Sequence, residues 1–290
     1  MDDAIKRVRR FNRAVTAAVG ALDDSFLGRG RPLGSARVIN AIGQGRTDVA
    51  VLRAYLGIET SLMSRLLRGL EDEGLVETVV STQDARRRVV HLSKAGVSEF
   101  RAYERLSNAQ AKDMLAHHAR PDELLAAMDL VASVLGRDRV TINEVDPRGE
   151  LATYCLGAYY EEISSRFEHG FDVSRSRDPA AAQMTRPRGA FLVACSDDLP
   201  VGCVGLKGDG RGGAEIKRLW VAPAARGMGL SKRLMTEAEE IARELSIKTL
   251  RLDTNRALPE AKQLYLKTGW KEIDRFNDDP YADSFFEKRL

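Results

Sequence analysis

Residues 214–234 read AEIKRLWVAPAARGMGLSKRL. The run to Val221 has the composition of a strand, Pro223 marks a turn, Arg226-Gly227-Met228-Gly229 forms a glycine loop, and Leu230 opens a helix. A strand–loop–helix unit of this kind aims successive backbone N–H groups and the positive end of a helix at one anion, typically a phosphate. Arg226 adds charge, while Gly227 and Gly229 let the backbone approach closely. The stretch is neither G-x-G-x-x-G nor a Walker loop, since no G-K-[ST] is present. A glycine loop alone is more often a plain turn, so its surroundings must decide.

Strands are expected around it at 190–196, 200–207, 248–254 and, closing the chain, near 271–276 and 284–288. Helices are expected at 149–168, 230–245 and 259–268, and a short strand at 140–145. This alternation predicts an α/β domain. The first half is mainly α-helical instead. Ile5, Val8, Phe11, Val15 and Val19 space out an amphipathic helix over 1–20, and Gly28 to Gly34 is a loop. Helices follow at 35–43, 47–56 and 59–73, then a hairpin of 75–80 and 88–92, then helices through 93–136 with Pro121 starting the last. The change of character gives two domains, 1–139 and 140–290, as a 290-residue chain suggests.

Composition narrows the class. With 43% hydrophobic and 30% charged residues the chain can build cores and is not disordered. No apolar run reaches the length of a membrane span, and no apolar leader follows Met1-Asp2-Asp3, so a soluble cytoplasmic protein is expected. Three cysteines (Cys155, Cys195, Cys203) without C-x-x-C spacing argue against a disulfide framework or a zinc site, and they are expected in the core. His117 and His118 are expected at the surface; no metal is expected.

Lys and Arg outnumber Asp and Glu in residues 1–140 and are nearly balanced by them afterwards. Within the helix at 59–73, Met63, Leu66, Leu67 and Leu70 form one stripe, and Ser61, Ser64, Arg65 and Arg68 repeat that spacing on another face. A short helix, a glycine turn and a helix with Ser and Arg outward is how a helix-turn-helix presents a recognition helix to the major groove. An ordinary solvated face would look the same. The hairpin tip, Asp84-x-Arg86-Arg87-Arg88, tips the balance, because arginines on a hairpin can reach an adjacent minor groove. Asp84 is expected to orient Arg86 by an ion pair. Residues 35–96, with this D-x-R wing and the L-S-x-x-G exit at Leu92 to Gly96, resemble the MarR family of winged-helix regulators. The resemblance implies double-stranded DNA as partner, contacts from Ser61, Ser64, Arg65, Arg68, Arg86 and Arg87, and a homodimer joined through the first and last helices.

Arg226-Gly227-Met228-Gly229-Leu230-Ser231 in turn resembles the R/Q-x-x-G-x-G/A loop of the GNAT acetyltransferase superfamily, with Ser231 where Gly or Ala is usual. Asp253-Thr254-Asn255, Ala261 and Tyr265-x-x-x-Gly269-Trp270 resemble its N-x-x-A-x-x-x-Y-x-x-x-G-F signature at longer spacing. The resemblance covers about 140–290 and implies a mixed, mostly antiparallel sheet with acetyl-CoA as cosubstrate. It implies coenzyme contacts from Leu219, Trp220, Val221, Arg226, Gly227, Met228, Gly229, Leu230, Ser231, Lys232, Asn255 and Ala261. Amide formation needs a neutral amine, so a carboxylate such as Glu215 can take its proton, and Tyr265 is the motif's candidate donor to the leaving thiolate. Both have structural alternatives: an ion pair with Lys217 or Arg218 for Glu215, plain packing for Tyr265. On the expected acceptor wall, Tyr159, Glu162 and Arg166 share a helix face; Arg166 can clamp a carboxylate or simply pair with Glu162. The expected whole is a transcription regulator fused to an N-acetyltransferase acting on an amine, an amino acid or other small metabolite. The alternative is a regulator whose second half only senses acetyl-CoA or a metabolite.

Overall fold

In the computed structural model, which describes residues 2–80, 84, 86–168, 170–172 and 181–290, the helical half begins with α1 (Asp2–Ala18) and α2 (Leu33–Gly43). The Asp48 side chain caps α3 (Val49–Leu56) by accepting from the Ala50 and Val51 amides, and Gly57, in the left-handed region, ends it. Then come α4 (Thr60–Asp72), the antiparallel hairpin β1 (Val76–Val80) and β2 (Arg88–Leu92), α5 (Lys94–Ala116) and α6 (Pro121–Gly136). Met63, Leu67 and Leu70 bury the expected stripe of α4 against Val38, Ile39, Leu52 and Val90. The L-S-x-x-G exit has a steric cause. Ser93 donates to the Gly74 carbonyl at 2.6 Å and caps the Gly96 amide, and a Cβ on Gly96 would lie 2.0 Å from the Leu75 carbonyl oxygen. The expected tip of the hairpin includes Ser81, Thr82, Gln83 and Ala85, which lie outside the described residues.

The chain divides into two compact units, Met1–Leu124 and Leu125–Leu290. The division falls earlier than 139/140 because most of α6 is part of the second unit, within which Ser133 and Arg137 line a small cavity with Ser196, Val201 and Arg233.

The second unit is built on β3 (Thr141–Glu144), α7 (Glu150–Arg166), β4 (Ala190–Ser196), β5 (Leu199–Gly208), β6 (Gly213–Val221), α8 (Leu230–Glu244), β7 (Thr249–Thr254), α9 (Pro259–Lys267), β8 (Lys271–Ile273) and β9 (Ser284–Arg289). Its seven strands lie in the order β3-β4-β5-β6-β7-β9-β8, antiparallel except for the β6–β7 pair. Each sheet face carries a core. Ala214, Ile216 and Val221 join α8 residues such as Leu234 and Ala238 on one side. Trp220 joins Ala152 and Cys155 of α7 on the other, where Cys195 and Cys203 are also buried.

That side switch is a β-bulge. Cys203 faces Trp220 but Gly205 faces Lys217, so β6 carries one residue more than β5 across this stretch. Arg218 absorbs the bend with a φ of 56°, a conformation that usually costs a non-glycine residue about 1–2 kcal/mol. The bulge sits where the site is built.

Candidate functional site

Parallel strands β6 and β7 are registered only at Gly213–Thr249, Ala214–Leu250 and Glu215–Arg251. Beyond Glu215 the two strands have no further ladder, and the gap between them opens as a cavity of about 90 Å³ lined from both strands, α7, α9 and the segment before β9. Lys217 and Asp253 face one another across the gap, with Nζ 2.6 Å from Oδ2. Asn277 donates to the same Asp253 oxygen at 2.7 Å. Burial acts to lower the Lys217 pKa, but Asp253 and Glu215 outweigh it and the net shift is upward, so the ammonium stays charged.

After the C-terminal end of β6, Gly227 and Gly229 take φ values of 76° and 80°, and nothing lies within 4 Å of where a Cβ would stand on either. Gly229 is also the N-cap of α8 and offers no side-chain oxygen to its first amides. The loop is thus an open cradle at a helix start whose first N–H groups no cap residue takes up, the arrangement that suits a phosphate.

Several predicted residues come together here. Tyr159, Leu219, Asn255, Ala261 and Tyr265 all line the cavity. Asn255 organises its floor, donating to the Tyr281 carbonyl at 2.6 Å and accepting from the Ala257 amide at 2.8 Å. Tyr265 is 5% exposed and its ring packs against Trp270 and Phe286. Burial, reinforced by Asp253, pushes its phenol pKa up, so the group carries its proton through the ordinary pH range. Burial raises Tyr159 likewise.

Others are placed elsewhere. Glu215 does not line this cavity; it pairs with Lys207 and Lys217, each at 3.3 Å, and borders a wider hollow of about 550 Å³ with Arg251 and Glu287. Glu162 and Arg166 take the ion-paired alternative, because α7 runs beside α9 and the glycine loop. Arg166 binds Glu162 at 3.1 Å, Glu260 and the Ala257 carbonyl. Glu162 also accepts from the Trp220 indole at 3.0 Å and from Arg226, whose Nε donates to the Val221 carbonyl. The charge of Arg226 is therefore spent on fastening the loop to α7. Lys217, Arg218, Asp253 and Asp279 line the cavity but were missed, since nothing in the local spacing of a strand or loop marks which of its polar residues will face inward.

In the first unit, Ser61, Ser64, Arg65 and Arg68 are all exposed on α4, and Arg86 and Arg87 are exposed on the hairpin. Asp84 accepts from the Arg86 amide at 2.9 Å, but its nearest charged partner is Arg87, at 3.7 Å, because the tight turn brings the backbone of Arg86, not its guanidinium, to the carboxylate. Arg87 also approaches Asp48 at 3.9 Å, and the Val90 amide donates to the Thr47 carbonyl, which ties the wing to the start of α3.

The Acetyltransferase (GNAT) family model matches residues 156–270, and the MarR family model matches residues 29–87. An IAA acetyltransferase of Azospirillum brasilense is 34% identical over 112 residues, covering 37% of this chain and 72% of that protein. Among solved structures, an acetyltransferase of the GNAT family from Staphylococcus aureus matches with TM-score 0.46 and 19% identity, covering 52% of this chain and 99% of that one. Streptococcus pneumoniae FabT in complex with DNA matches with TM-score 0.40 and 19% identity, covering 46% of this chain and 96% of that one. With the two family models and the Azospirillum relative in agreement, the chain belongs to the GNAT acetyltransferase family through its second half and carries a MarR family region in its first.

Proposed function

We propose that the second half is an acetyl-CoA-dependent N-acetyltransferase acting on a small amine, and that the first half binds double-stranded DNA as a homodimer and regulates transcription. One observation carries the enzymatic reading: the open glycine cradle and the inward-facing Tyr265 both follow the splayed C-terminal ends of β6 and β7, the cradle leading from β6 into α8 and Tyr265 riding on α9 after β7. The cradle fits a coenzyme pyrophosphate, since a side chain at 227 or 229 would occupy the space that is open there. Gly227, Met228, Gly229, Leu230, Ser231 and Lys232 would hold it, with Leu219, Val221, Asn255 and Ala261 along the gap. When bound, acetyl-CoA supplies the activated acetyl thioester.

The chain's own part is proton handling. An ammonium has no lone pair, so the acceptor nitrogen must lose a proton before it can form the new C–N bond. Asp253 is the carboxylate across the gap from Lys217, and Glu215 stands one ion pair behind it, linked through Lys217. Tyr265 holds its proton in the cavity, available to sulfur as the C–S bond breaks.

For DNA, the exposed Ser and Arg face of α4 and the wing arginines support the reading, because none of the four α4 residues is acidic. Ile5, Val8, Phe11 and Val15 remain exposed along α1, a stripe that a second copy would cover.

The test uses the full chain: calorimetric titration with acetyl-CoA, thiol release against an amine library, and gel shift on the promoter upstream of its own gene. Micromolar acetyl-CoA binding, turnover with at least one amine and a retarded DNA band are expected. A chain that binds no acetyl-CoA would overturn the enzymatic half. The sensor reading draws on Glu215 being held outside the cavity in ion pairs. It would be established instead by tight acetyl-CoA binding without turnover on any amine, together with DNA affinity that shifts with acetyl-CoA.

A further inference from the structure

The acceptor side of the cavity carries chemistry that an unfunctionalised amine does not need. Arg218, at the bulge of β6, is only 7% exposed, yet it lines the cavity, with its guanidinium 5.2 Å from the Tyr160 ring centroid. Burial lowers its pKa, offset in part by Tyr160, Tyr159 and Asp279. On the opposing elements Asp253 and Asp279 line the same space, Asp279 being 7% exposed. Desolvated charges of both signs therefore face one narrow cavity, and a guanidinium at such a wall matches a carboxylate in geometry and charge.

The third feature is aromatic. Phe167, Phe171 and Tyr281 line the cavity as a cluster, with Phe171 and Tyr281 centroids 4.7 Å apart and Phe167 within 6.0 Å of both. All three are only half-buried. Rings that merely filled a core would be covered; half-covered rings at a cavity wall offer an apolar face to whatever enters.

We propose that the acceptor is an aromatic α-amino acid, its carboxylate held by Arg218, its amino group turned toward Asp253 and Asp279, and its ring laid against Phe171 and Tyr281. This deepens the acetyltransferase reading and rests on it. The clamp is assigned to Arg218 rather than to Arg166 because Arg218 lines the cavity and Arg166 does not.

The experiment compares L-phenylalanine with phenethylamine, which has the same ring and amine but no carboxylate, and with L-alanine, which lacks the ring. Binding to the full chain is followed by calorimetry, and acetylation by thiol release. Phenylalanine is expected to bind and react about 100-fold better than phenethylamine, the order of discrimination that one charged hydrogen-bonded contact provides. Alanine should also be poor. Arg218→Met should remove the preference for phenylalanine over phenethylamine, chiefly through KM, and Arg218→Lys should restore part of it. An arginine that only stacks on Tyr160 would, when replaced, weaken both ligands alike and leave their ratio unchanged, which overturns the assignment. If Arg218→Met fails to fold, the wild-type ratio decides: equal binding of phenylalanine and phenethylamine overturns the proposal. Acetyl-CoA binding with no amino acid acetylated sinks the acceptor assignment alone, whereas absent acetyl-CoA binding sinks the parent reading with it.

Discussion

The two halves hold their cations in opposite ways. Arg65, Arg68, Arg86 and Arg87 stand exposed, and Arg87, with a side chain 68% exposed, meets its carboxylates only at 3.7 Å or more. In the second half Lys217 has a side chain 10% exposed and meets Asp253 at 2.6 Å, while Arg218 is buried. The contrast follows from the ligands proposed. A polyanion is bound from outside, by counterion release, so its cations must be solvated and unspent, and the affinity must fall with salt. A small molecule is bound from inside, where low dielectric strengthens each contact and every charge must be balanced. Losses in the second half should therefore be large and insensitive to salt; those in the first should be smaller and salt-dependent.

The sharpest test of that contrast is Tyr265→Phe. Loss of a general acid typically lowers turnover about 10²–10⁴-fold, and here the loss should fall on kcat, with acetyl-CoA binding and DNA affinity unchanged. Steady-state thiol release with a melting curve reads it; normal turnover with a lower Tm would return Tyr265 to packing. Next comes Gly229→Asp, which sets a carboxylate in the cradle. Like charges in near contact at a protein surface repel by about 4 kcal/mol, so acetyl-CoA should bind about 10³-fold more weakly to the full chain by calorimetry. Equal affinity would mean that the glycine loop is only a turn.

The pair Arg65→Ala with Arg86→Ala probes the exposed side. It should weaken DNA binding by roughly tenfold or more and flatten its salt dependence by about one contact per phosphate-directed arginine, with acetyl transfer intact. Unchanged affinity and slope in a gel-shift titration would break the comparison at its first half.

The smallest effect tests an exception inside the first unit. Glu99, 8% exposed, receives Arg29 through two hydrogen bonds of 3.0 and 2.6 Å and Arg31 at 2.9 Å. Hydrogen bonding by Arg29 outweighs burial and holds its carboxyl below the usual range. A depressed carboxylate pKa stabilises the fold fully above the ordinary glutamate value of about 4.3 and loses that contribution as the pH falls through the folded-state value. Glu99→Gln should cost about 1–3 kcal/mol at neutral pH and make the melting temperature less acid-dependent in that window.

Much of this was legible in the chain. The stripe of Met63, Leu67 and Leu70, the cap at Asp48, the stops at Gly57 and Gly74 and the cradle of Gly227 and Gly229 depend on neighbours a few residues away. Periodicity, capping and left-handed glycine are local physics, so the elements and the glycine loop follow from sequence. The family motifs led to Tyr265, Asn255 and Ala261 for the same reason: they ride on one strand–helix unit.

What tertiary structure alone decided is which polar group meets which. Glu162 serves Arg166, Trp220 and Arg226; Glu215 pairs with Lys207 and Lys217 and leaves the cavity to Asp253. The bulge that turns Arg218 inward exists only because β6 carries one residue more than β5 opposite it. The aromatic wall joins Phe167 and Phe171 to Tyr281, more than a hundred positions along the chain. Charge partners and cavity walls are set by distance in space, and a chain that brings residues 162, 218, 253 and 281 to one place carries no local signal that it will do so.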